Sequence, residues 1–111
     1  MTREIDLIRD GSAWPSIVCI GFTPASKPGY LRGWAELHLP RIKLRLHSCP
    51  CFVSNEGAWV NLPSKEIGKD AAGKARYAAQ LEWNTRGIQD AFSAAAVAAV
   101  DAYAPAWREQ P

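Results

Sequence analysis

Between Tyr30 and His47 apolar and polar side chains alternate with a period of two, and the phase changes once, at Pro40. Successive side chains of a β-strand point to opposite faces of the sheet. Leu31, Gly33, Ala35, Leu37 and Leu39 therefore fall on one side of a first strand, with Tyr30, Arg32, Trp34, Glu36 and His38 on the other. Pro40 has no N–H for the ladder and interrupts it. Beyond it the apolar residues sit at even positions, the phase change that a turn or bulge produces. Arg41-Ile42-Lys43-Leu44-Arg45-Leu46-His47 then predicts a second strand. Ile42, Leu44 and Leu46 would enter the core, and Arg41, Lys43, Arg45 and His47 would line the other face.

The rest of the chain resolves around this pair. Ile17 to Phe22 is short and partly β-branched, as expected of a buried strand. Thr23 to Gly29 has loop composition. Asn55-Glu56-Gly57 reads as a turn, and Ala58 to Leu62 as a short strand ending at Pro63. Residues 63–76, with Gly68, Gly73 and several lysines, read as a mobile basic loop. Tyr77 to Trp83 predicts a last strand with Tyr77, Leu81 and Trp83 on one face. Asn84-Thr85 supplies a helix N-cap, and Pro105 stops the helix after about Tyr103. The prediction is thus an α+β domain: about five antiparallel strands within residues 16–83, then one long helix within 85–104. Residues 1–14 read as an N-terminal arm or an extra strand.

Along the helix, Ile88, Phe92, Ala95, Ala99 and Tyr103 form a stripe, yet Ala94, Ala96, Val97, Ala98 and Val100 leave it apolar nearly all round. Such a helix is normally buried on more than one side. In a chain of 111 residues this points to a homodimer, with Phe92, Ala96, Val97 and Val100 at the interface.

Charge narrows the partner. The net charge is only +2, from 13 basic and 11 acidic residues, so the surface as a whole does not attract polyanions. A local basic patch still governs the field near it. No run is long and apolar enough to span a bilayer, and the N-terminus lacks the features of a secretory signal, so a cytoplasmic protein without a membrane partner is expected. Cys19, Cys49 and Cys51 form an odd set with no second Cys or His pair at zinc spacing, so no metal and no cofactor are expected. There is no glycine-rich phosphate loop and no nucleophile elbow. Glu36 and His38, two apart on one strand face, make the only acid–base pair worth weighing, and a solvated pair is its ordinary meaning. No small-molecule substrate is indicated, and the protein is expected not to be an enzyme.

The positive signal is recognition. Strand phases allow Trp34, Arg41, Lys43, Arg45, Trp59 and Arg76 to share the face away from the helix. Lys and Arg neutralise phosphates, and indole faces stack on bases for roughly 1–3 kcal/mol each. Lys65, Lys69 and Lys74 would clamp the backbone from the loop. The competing use of the same face is a protein–protein contact through the tryptophans, with the basic row keeping it soluble.

From Trp59-Val60-Asn61-Leu62-Pro63-Ser64-Lys65 onward the chain resembles the SpoVG family, small proteins named after a stage V sporulation protein and linked to septation. The matching pieces are Leu62-Pro63-Ser64-Lys65, Lys74-Ala75-Arg76-Tyr77 and Asn84-Thr85-Arg86-Gly87-Ile88-Gln89-Asp90-Ala91-Phe92. With the upstream hairpin, Gly33 to Leu39 and Ile42 to His47, the resemblance covers about residues 17–103. It implies a non-enzymatic dimeric regulator of DNA and, in some members, RNA, with a curved antiparallel sheet and a C-terminal helix that both serve dimerisation. It also directs attention to Lys69, Lys74 and Arg76 as nucleic-acid contacts. Residues 1–14, the tryptophans, the alanine-rich helix and the Pro105-Ala106-Trp107 tail depart from the family pattern.

Overall fold

The computed structural model describes residues 16–109; the arm or strand expected at 1–14 lies outside them. Four antiparallel strands form the main sheet in sequential order: β1 (Val18–Pro24), β2 (Leu31–Leu39), β3 (Leu44–Ser54) and β4 (Gly57–Val60). A separate two-stranded hairpin follows, β5 (Ser64–Lys69) and β6 (Ala75–Ala79), and then one long helix, α1 (Arg86–Tyr103). The α+β class and the antiparallel sheet followed by a helix are as the pattern predicts.

β2 keeps its period. Gly33, Ala35, Leu37 and Leu39 are buried, and the residues between them are half-exposed. The basic strand does not start where its alternation suggested. Pro40–Ile42 is a 3-10 turn, closed by the Lys43 amide donating to the Pro40 carbonyl at 3.2 Å. Lys43 is left-handed at φ 54°, and β3 begins only at Leu44. Proline at the first position presets the φ that a helical turn needs, and the turn reverses the chain between β2 and β3. Ile42 and Leu44 are consequently 46% and 42% exposed, and of the three expected core residues only Leu46 is buried.

A second irregularity carries β3 onward. Ala35 pairs with Cys49 but Leu37 with Leu46, so His47 and Ser48 together oppose Glu36. This bulge, with Ser48 at φ 58°, moves the core-facing positions of β3 from even back to odd. Cys49 and Cys51 enter the core, and the strand runs through Pro50 to Ser54. Pro50 fits because β4 ends at Val60: the Asn61 amide donates to the Pro50 carbonyl at 3.0 Å, and no return bond from position 50 is required.

The expected basic loop is the β5–β6 hairpin. Asp70 builds its turn, accepting at Oδ1 from the amides of Ala72 and Lys74, each at 2.9 Å, and Gly73 takes a φ of 84°. The predicted last strand shrinks to Ala75–Ala79 and leaves residues 80–83 outside any strand.

Helix α1 starts on the predicted cap, with the Ile88 amide donating to Thr85 Oγ1 at 3.2 Å. It packs on β1 and β4. Its buried residues are Phe92, Ala96, Val97 and Val100, a stripe rotated from the one expected, and Tyr103 is exposed. These four were expected between subunits. Here they are covered by the sheet of their own chain, beside Ala35, Leu37, Leu39, Cys49, Cys51 and Val60, and their apolar character needs no second copy. Trp107 closes the far end of this core. It is fully buried, lies 6.1 Å from the Phe22 ring, and donates through Nε1 to Asp101 Oδ1 at 2.7 Å.

Candidate nucleic-acid interface

Helix and tail cover one face of the main sheet, so the site expected on the other face depends on what β2, β3 and β4 present there. Paired residues of an antiparallel ladder point the same way. Trp34 pairs with Pro50 and Phe52 with Trp59, which makes a strip of apolar and aromatic groups across the open side. The Phe52 and Trp59 rings stack with centroids 5.2 Å apart and 12° between planes, so one face of the Trp59 indole is already taken. Trp34 is half-exposed.

The cations are distributed differently from the expected row. Arg45 pairs with His38 on the open face and is exposed, whereas Arg41 and Lys43 sit in the corner between β2 and β3. The 3-10 turn therefore separates them from Arg45. On the hairpin, Lys65 pairs with Ala78 and Gly68 with Arg76, which puts Lys65 and Arg76 on one face. Ser64, Glu66, Tyr77 and Ala79 take the opposite face, with Glu66 paired to Tyr77, and share it with Lys69, which pairs with Ala75; Lys74 lies just before β6. Lys65, Lys69, Lys74, Arg76 and Tyr77 are all exposed. The hairpin holds four basic against two acidic residues, and one of the acids, Asp70, is committed to the turn.

Between sheet, hairpin and helix start runs a groove of about 460 Å³. Trp34, Pro50 and Phe52 line it from the sheet, Tyr77 from the hairpin, and Leu81 and Trp83 from the segment before the helix. Trp83 rests on Phe92 with centroids 5.3 Å apart. Tyr77, Leu81 and Trp83 share this groove although they do not share a strand. Pro50 and Phe52 were not anticipated; the signal that could have found them is the alternation of Cys49, Cys51 and Val53 against Pro50 and Phe52.

Glu36 does not pair with His38. Its Oε1 lies 2.8 Å from His47 Nδ1, and its Oε2 accepts the Ser48 amide at 2.9 Å, so both oxygens fasten the bulge. The three thiols are free and lie on the helix side of the sheet, away from the groove. Burial, first, and neighbouring thiols push Cys49 and Cys51 up to about 12. Among the described residues no group of three or more His, Cys, Asp or Glu is placed to hold a metal, and no helix is long and apolar enough to cross a membrane. No protein-family model, no curated protein and no solved structure matches this chain.

Proposed function

We propose that the chain is a non-enzymatic nucleic-acid-binding regulatory protein that acts on DNA or RNA as a homodimer. The observation that carries this is the aromatic strip of Trp34, Phe52 and Trp59 on the sheet face away from the helix among the described residues, with Arg45 on that face and Lys65, Lys69, Lys74 and Arg76 on the adjoining hairpin. Cations hold phosphates, and flat rings hold bases without demanding a sequence. The resemblance to the SpoVG family, which rests on the segments around Pro63-Ser64-Lys65 and Thr85-Arg86, points the same way. Because the helix stripe is used internally, the homodimer would draw on other apolar groups, among them Val18 and Ile20 of β1, 49% and 44% exposed, and Ile42 and Leu44.

Titration of a fluorescent oligonucleotide at two salt concentrations tests the proposal. Four phosphate contacts to a single strand predict an affinity loss on the order of 50-fold between about 50 and 200 mM salt. Absence of binding at the lower salt overturns it.

A protein–protein module is the second reading, and one observation favours it: among the described residues Glu82 lines the groove and no Lys or Arg does. Charge reversal of Arg45 and Lys69 separates the two. It abolishes oligonucleotide binding under the first and mainly slows association with a protein partner under the second.

A further inference from the structure

We propose that the groove between β3 and the β5–β6 hairpin is a pocket for unpaired bases, which makes single-stranded nucleic acid the ligand. This rests on the nucleic-acid reading above and goes further by assigning the ligand's strandedness and a set of base-contacting residues.

The groove and the cations divide the labour. Its walls combine aromatic rings, from Trp34, Phe52, Tyr77 and Trp83, with aliphatic groups such as Leu31, Leu62 and Leu81, and its remaining polar groups include the neutral Ser48, Asn61 and Gln89. Among the described residues the one charged side chain in its lining is Glu82. A phosphate entering here meets a carboxylate and no cation. A base carries no charge, offers flat faces to the rings, and presents donors and acceptors that hydroxyl and amide side chains match. The phosphates belong outside, where Lys69 lies on the Tyr77 face of the hairpin toward its turn and Lys65 and Arg76 occupy the other face. The Tyr77 face also carries Glu66, which pairs with Tyr77, so a backbone that leaves its bases turned into the groove follows the Lys69 end of the hairpin. At about 460 Å³ the groove falls within the range of small-molecule sites. In a duplex the bases stay stacked and paired, out of reach of the walls, and extruding one costs energy.

Fluorescence anisotropy decides this with 15-nucleotide oligo(dT) and oligo(rU) and a mixed-sequence DNA duplex of the same length, all at low salt. The expected result is that a single strand binds at least tenfold more tightly than the duplex, and that Tyr77→Ala reduces this preference at least fivefold. Tyr77 is 62% exposed, so the fold tolerates its loss, and Tyr77→Phe, which keeps the ring, retains the preference. Equal binding of duplex and single strands, or a preference that Tyr77→Ala leaves intact, overturns the base pocket while the nucleic-acid reading stands. Lys65→Glu/Arg76→Glu weakens every probe if phosphates lie on the hairpin. Failure of all three probes to bind wild-type protein overturns both.

Discussion

Glu36 on β2 and Ser48 on β3 are joined by a hydrogen bond in which the Ser48 amide donates to Oε2 at 2.9 Å, while Oε1 engages His47. Two residues of β3 face one residue of β2 there, and the Glu36 carboxylate binds both of them. The bulge resets which side chains of β3 face the helix. It thereby buries Cys49 and Cys51 and turns Pro50 and Phe52 toward the groove.

Removing that carboxylate should loosen the bulge. Glu36→Ala is expected to lower stability by about 1 kcal/mol, because water replaces part of what the partly exposed amide loses. Ser48→Gly should act oppositely, raising stability by up to about 1 kcal/mol, since Ser48 holds a left-handed backbone that glycine adopts without strain. Urea denaturation of the two variants measures both.

Asp101 ties the C-terminal tail to the helix. It accepts from Trp107 Nε1 at 2.7 Å and from Arg108 Nη2 at 2.8 Å. Burial pushes its carboxyl up, but the bonds from Arg108 and Trp107 and the guanidinium charge outweigh this and hold it below the usual carboxylate range. The ionised form is thus favoured by folding. Its contribution is present above about pH 4 and is lost as pH falls through the lowered value. Asp101→Ala strands a buried indole N–H and should cost about 1–3 kcal/mol at pH 7. The difference between wild type and Asp101→Asn should shrink at pH 3, as read by urea midpoints at the two pH values.

The cysteines titrate in the other direction. Cys49 and Cys51, held at about 12 by burial, stay protonated in the fold at a pH where the unfolded chain loses those protons. Their contribution to stability is therefore expected to be constant up to about pH 8 and to fall as pH rises from there toward 12. A Cys49→Ala/Cys51→Ala protein should show a shallower fall between pH 8 and 10. The wild-type thiols should react with a disulfide reagent only at the rate of unfolding.

Gly33 is required for packing. A Cβ there would stand 2.4 Å from the Thr23 carbonyl oxygen and 2.6 Å from the Phe22 ring, itself set against Trp107. Gly33→Ala should destabilise by about 1–3 kcal/mol, since β1 or the ring must move. A melting temperature unchanged by the substitution would contradict this packing.

Local signals settled the elements that depend on local chemistry. The period of residues 31–39 specified β2 and its buried face, because alternation is a property of a strand by itself. Thr85 and Pro105 bounded the helix to within a residue or two, because caps and stops act over one turn. The grouping of Tyr77, Leu81 and Trp83 was also visible in their spacing, although only Tyr77 belongs to a strand. Tertiary structure decided the rest. Residues 41–47 alternate perfectly, yet Pro40 drew three of them into a turn that reverses the chain. Two partners determined the β3 register, Glu36 through its bulge and β4 by ending at Val60, and neither is adjacent in sequence. Residues 64–79 carry only two large apolar side chains, Ile67 and Tyr77, so their pairing left no hydrophobic period to read; it comes from the Asp70 turn and the backbone ladder. The apolar helix gave no direction for its burial, because alanine-rich faces suit a sheet or a second helix equally. Only the packed sheet determined that Phe92, Ala96, Val97 and Val100 face inward, since burial depends on which distant surface arrives.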